Sequence, residues 1–87
     1  MAYFAISYDL VAQNGYKPLF CRLEELGAVK TQLSFWLVKS NNTAQEVKND
    51  LEDFIDDNDR LMVIEFSKRP RFNWGFKGTR KWIEDRF

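Results

Sequence analysis

The stretch that most restricts the possible folds is the first one, Tyr3-Phe4-Ala5-Ile6-Ser7-Tyr8-Asp9-Leu10. Successive side chains of a strand alternate between its two faces, so Phe4, Ile6 and Tyr8 share one face and Tyr3, Ala5, Ser7 and Asp9 the other. The first set reads as core. A strand this apolar predicts a central position with partners on both sides. Asp9 then stands at the carboxyl end of the middle of a sheet, a place where sites occur in open sheets. A strand-ending carboxylate also caps the loop that follows it, and this structural role is the alternative for Asp9.

With 87 residues the chain can form one domain with one small core, burying about two-thirds of its unfolded surface. Hydrophobic residues at 45% and aromatics at 16% place it among folding chains and favour an exposed apolar patch that meets a partner. The 13 basic and 13 acidic residues cancel, but they are segregated. Residues 41–67 carry two basic against eight acidic side chains, and residues 68–87 seven basic against two acidic. The pattern is an acidic flank followed by a basic tail.

The lone cysteine, Cys21, excludes an internal disulfide, and with no histidine the chain lacks the usual zinc ligands and the usual acid–base catalyst. Beside Phe20 on a helix, Cys21 reads as a small core residue rather than a nucleophile. No segment has the roughly 20 apolar residues of a membrane span, and Met-Ala-Tyr-Phe lacks a charged leader. The expected location is the cytoplasm, away from membranes.

Gln13-Asn14-Gly15 signals a loop, after which Pro18 suits the first turn of a helix. Leu19, Phe20, Leu23 and Leu26 follow at helical spacing, and Gly27 marks the stop. Val29 to Lys39 alternates as one second strand, with Leu33, Phe35 and Leu37 on one face and Gln32, Ser34, Trp36 and Val38 on the other. Ser40-Asn41-Asn42 turns the chain. Thr43-Ala44-Gln45-Glu46 has the form of a capping box opening a helix to about Ile55, with Val47, Leu51, Phe54 and Ile55 as its apolar stripe. The acidic run Asp56-Asp57-Asn58-Asp59 lacks the alternation, central glycine and distal glutamate of a calcium loop and reads as a solvated turn. Leu61 to Phe66 is a third strand, apolar enough to be buried on much of both faces.

This order, with short connections, predicts an α+β fold: a ferredoxin-like split βαβ with an antiparallel sheet and both helices on one face. Residues 1–67 form that domain. Residues 68–87 form a basic, aromatic extension packed on the same domain or on a dimer mate. Phe72 to Phe76 is a candidate fourth strand, and Thr79 a candidate cap for a short last helix. Lys68, Arg69, Arg71, Lys77, Arg80 and Lys81 interleave with Phe72, Trp74, Phe76 and Trp82, a mixture suited to stacking on bases and neutralising phosphates. It suits equally a tail that folds onto protein.

Ser7-Tyr8-Asp9 closing the first strand, Gly27 closing the first helix, Lys30-Thr31-Gln32-Leu33-Ser34-Phe35-Trp36 and the third strand from Asp59 to Ile64 together resemble the CRISPR-associated protein 2 family. These are small ferredoxin-like homodimers of spacer acquisition that include metal-dependent nucleases. The resemblance spans roughly residues 3–67. It implies a homodimer associated with DNA or RNA, in which two Asp9 carboxylates share a Mg2+ ion and act as catalytic metal ligands for phosphodiester hydrolysis, with Ser7 or nearby backbone positioning the substrate. The sequence departs from the family's pattern in the uncharged loop Leu10 to Gly15, in Leu37 where an acidic residue often closes the second strand, and in the basic tail. Three expectations follow: a metal-dependent endonuclease through Asp9; a silent scaffold binding nucleic acid through Lys68, Arg69, Arg71, Lys77 and Arg80; and a protein-interaction module, toxin-like or inhibitory, that grips a protein partner.

Overall fold

A computed structural model describes residues 1–12 and 15–87. The Gln13-Asn14 part of the loop signal lies outside the described residues. The elements in chain order are β1 (Ala2–Asp9), α1 (Lys17–Glu25), β2 (Val29–Gln32), β3 (Phe35–Ser40), α2 (Ala44–Glu52), β4 (Arg60–Phe66) and α3 (Thr79–Arg86). The result is an α+β molecule whose four strands lie in the order β2-β3-β1-β4, each antiparallel to its neighbour. β1 sits inside the sheet, pairing β3 from Ala2↔Ser40 to Ser7↔Phe35 and β4 from Tyr3↔Phe66 to Asp9↔Arg60.

Alternation along β1 divides the molecule into two layers. Phe4 and Ile6, both fully buried, and Tyr8 join Trp36 and Val38 under Leu19 and Leu23 of α1 and Val47 and Leu51 of α2. Apolar burial of this kind contributes roughly 1.5–3 kcal/mol for each large side chain, so this cluster is the main source of stability. Across the helix layer Arg22 clasps Asp50 through two hydrogen bonds of 3.0 and 2.8 Å, tying α1 to α2. The opposite face carries Tyr3, Ala5, Phe35, Leu37 and Phe66, and α3 covers part of it with Trp82 and Ile83. Phe87 closes that cluster, its ring 4.6 Å from Tyr3 and 6.0 Å from Phe66 between centroids.

The stretch expected as one strand from Val29 to Lys39 is a hairpin. Leu33 and Ser34 turn the chain, Ser34 adopts φ 63, and the register shifts between Lys30 and Gln32. Neither turn residue is glycine or asparagine, so the usual left-handed signal is absent and the apolar alternation runs through the bend. Leu33 at the tip is 80% exposed. This hairpin supplies the fourth strand, while Phe72 to Phe76 forms no strand. That segment instead meets the β2 edge through one backbone hydrogen bond, the Phe76 N–H donating to the Thr31 carbonyl at 2.8 Å.

Other boundaries follow local chemistry. Pro18 lies in the first turn of α1, and Gly27 at φ 78 takes the left-handed position just beyond its C-cap. The capping box of α2 is complete: the Glu46 N–H donates to Thr43 Oγ1 and the Thr43 N–H to Glu46 Oε1. The helix ends at Glu52, before the expected Ile55, and Phe54 and Ile55 continue the apolar packing from a turn. α3 is capped by Gly78, with no side-chain cap, and Thr79 is its first helical residue rather than its cap. Cys21 faces solvent, against the expectation of a core residue, because it lies off the Leu19/Leu23 stripe that α1 buries. β4 is an edge strand with Met62 61% and Ile64 50% exposed, so it is buried less than its composition predicts.

Candidate nucleic-acid interface

Asp9 stands at the end of β1 opposite Arg60 of β4, and their cross-strand register brings Arg60 Nη1 to 2.7 Å from Asp9 Oδ2. Both side chains are mostly exposed, at 67% and 77%. A magnesium ion requires several oxygen ligands in octahedral geometry. The carboxylate here is engaged by a guanidinium, and no group of three or more His, Cys, Asp or Glu side chains is placed to hold a metal ion among the described residues. The donor set that one chain brings to Asp9 therefore does not fit magnesium. Ser7 is nearby on β1, on the face opposite the helices.

The neighbouring acidic residue with a built environment is Asp59. Its Oδ1 accepts from the Val11 N–H at 2.9 Å and the Tyr16 hydroxyl at 2.8 Å, and its Oδ2 accepts from the Asp56 N–H at 2.8 Å. Partial desolvation pushes its pKa up, but these three hydrogen bonds favour the charged form more strongly and hold it below the usual value. Asp59 thus joins the loop after β1 to the turn before β4, a structural task that the acidic run in the sequence does not reveal.

The expected nucleic-acid ligands lie elsewhere, around the segment between β4 and α3. Lys68, Arg69, Arg71, Lys77 and Arg80 are all exposed, and none forms an ion pair among the described residues. The remaining tail cations are engaged: Lys81 pairs with Asp85 at 3.3 Å, and the Arg86 guanidinium lies 4.4 Å from the Trp82 ring centre. Arg80 is stacked 5.3 Å from the Phe72 ring centre. Between these cations Trp74 is 82% exposed and Phe76 49% exposed, whereas Trp36 and Trp82 are buried.

Two concavities adjoin this segment. One, of about 380 Å3, lies between it and the sheet face opposite α1 and α2, and includes Lys68 and Arg71. The other, about 650 Å3 and more open, runs beside Lys77 and Arg80 to α3. Trp74, Phe72, Gly75 and Thr79 border both. Lys68 and Arg71 are therefore grouped on one side of Trp74 and Lys77 and Arg80 on the other, while Arg69 borders neither hollow. The tail places charge and an aromatic face together, as base stacking with phosphate neutralisation requires. Of the four tail aromatics that the sequence interleaves with these cations, Trp74 is the most exposed. Its position between Pro70 and Gly75, in a stretch without helical or strand period, is the signal that it does not serve the core.

No protein-family model matches the chain. Among the described residues no helix is long and apolar enough to cross a membrane.

Proposed function

We propose that this protein binds single-stranded nucleic acid through its C-terminal segment, as a non-catalytic member of a ferredoxin-like, homodimeric class resembling the CRISPR-associated protein 2 family. The antiparallel order β2-β3-β1-β4, with α1 and α2 on one face, supports the split βαβ reading. The observation that carries the function is the set of five exposed cations, without ion pairs among the described residues, in the segment that presents the exposed Trp74. Surface cations are usually solvated or paired with nearby carboxylates. Here seven of the 13 carboxylates lie on α2 and its following turn, and of the two in the tail Asp85 pairs with Lys81 while Glu84 borders the groove of Lys77 and Arg80, so cations outnumber carboxylates in the tail and favour phosphates.

The endonuclease reading rests on Asp9 at an exposed strand end and needs a second chain to complete any metal site. It predicts magnesium-dependent cleavage that Asp9→Asn abolishes. The binding reading predicts salt-sensitive association with single strands and no cleavage.

Fluorescence titration with single-stranded DNA, single-stranded RNA and duplex DNA at low and moderate salt tests the proposal. Single strands should quench Trp74, with affinity falling steeply as salt rises. Absence of binding at low salt would overturn the proposal and leave the exposed Trp74 and Phe76 as apolar surface for a protein partner.

A further inference from the structure

Resting on that reading, we infer that the cleft between residues 68–75 and the sheet receives one unstacked base of a single strand, whose flanking phosphates run over Lys68 and Arg71 on one side and Lys77 and Arg80 on the other. At about 380 Å3 the cleft lies near the lower end of the roughly 300–1,000 Å3 range of small-ligand sites, a size for a single nucleotide unit. Its sheet side is apolar, with Ala5 and Leu37, and its outer side carries Phe72 and Trp74. An aliphatic acid would satisfy this apolar lining and one cation. It would leave unused the second cation group beyond Trp74, in the adjoining groove. Cations on both sides of one aromatic opening fit a polyanion that passes across it and turns one planar group inward.

One polar side chain of the cleft wall supports a base over a purely apolar occupant. The Gln32 carboxamide, on the same cleft, forms no side-chain hydrogen bond among the described residues. Gln32 is exposed, so its carboxamide can exchange water for the donors and acceptors at the edge of a base. Thr79, 2% exposed, serves the cleft as a packed part of its wall: a Cβ added at Gly75 would lie 2.7 Å from its Oγ1.

The test uses the full chain and three probes: an oligothymidylate of about a dozen residues, the same backbone with every base removed, and a duplex of that length. The oligothymidylate should bind about tenfold or more tightly than the abasic strand, the size of one base–aromatic stack, at nearly equal salt dependence. Ala5→Leu places a larger side chain in the cleft and should reduce oligothymidylate binding to the abasic level without changing abasic binding. Where Ala5→Leu fails a thermal-melting check, Trp74→Ala, at an exposed position, should likewise abolish the preference for the oligothymidylate over the abasic strand. Equal binding of the abasic and thymidylate strands would overturn base capture while leaving phosphate binding intact. Binding of none of the three probes would overturn the underlying function as well.

Discussion

Tyr8 and Trp36 show how one hydrogen bond positions the core beneath the sheet. The Trp36 indole N–H donates to the Tyr8 hydroxyl at 2.9 Å, and both residues are over nine-tenths buried. Burial pushes the Tyr8 pKa up, and the indole donor only partly offsets this by favouring the phenolate. Tyr8→Phe preserves shape but leaves the indole N–H without its acceptor, so stability should fall by about 1–3 kcal/mol in denaturant unfolding. An unchanged midpoint would mean that the indole finds another partner. Asp59 supplies the pH counterpart. Its folded pKa lies below the ordinary value of 3.8, so its contribution is complete above that value and is lost as pH falls through the lowered folded value. The wild-type Tm should therefore drop in acid more steeply than that of Asp59→Asn, measured from neutral pH down to about pH 2. Parallel curves would show that Val11, Tyr16 and Asp56 hold the side chain without regard to its charge. The core place of Tyr8 was legible from the alternation of β1, because a strand has only two faces, whereas its partner Trp36 lies on β3, inside the stretch read as one strand with bulk on both faces. The three-way clasp of Asp59 was not, since its donors come from Val11, Tyr16 and Asp56 and two of them are backbone groups that any sequence possesses.

At the scale of elements, the sequence located three strands and both helices of the helix layer, but merged the β2–β3 hairpin into one strand. Ser34 turns in the left-handed region at moderate energetic cost and without a compositional mark, and β3 pairing with β1 over six residues stabilises that choice. The last helix was anticipated from Trp82 and Ile83, although its spacing alone does not say which surface it covers. In the structure Ile83 is 1% exposed and packs with Leu37 on the sheet. Ile83→Ala should cost about 2–5 kcal/mol by removing buried methyl groups and leaving a cavity. With roughly 4–8 °C lost per kcal/mol in a domain of this size, Tm should fall by at least about 8 °C. A much smaller change in thermal melting would mean that α3 leaves this face readily and contributes little to the fold.

Over the whole molecule, charge segregation in the chain becomes segregation in space. α2, with Asp50 and Glu52, belongs to the layer on one side of the sheet, and α3 with the preceding basic segment covers the other. Each phosphate contact on a single strand contributes about 0.7 to the slope of log affinity against log salt. Arg71→Ala should therefore lower that slope by about 0.7, and the Arg69→Ala/Arg71→Ala pair by about 1.4 if both meet phosphates. Lys17→Ala removes an exposed cation of α1 in the opposite layer and should leave the slope unchanged. This comparison separates a directed interface from general attraction, because Arg71→Ala and Lys17→Ala each remove one positive charge, at different places. Equal slope changes for Lys17 and Arg71 would place the nucleic acid on no particular face, whereas a change confined to Arg69 and Arg71 would locate the strand along the tail.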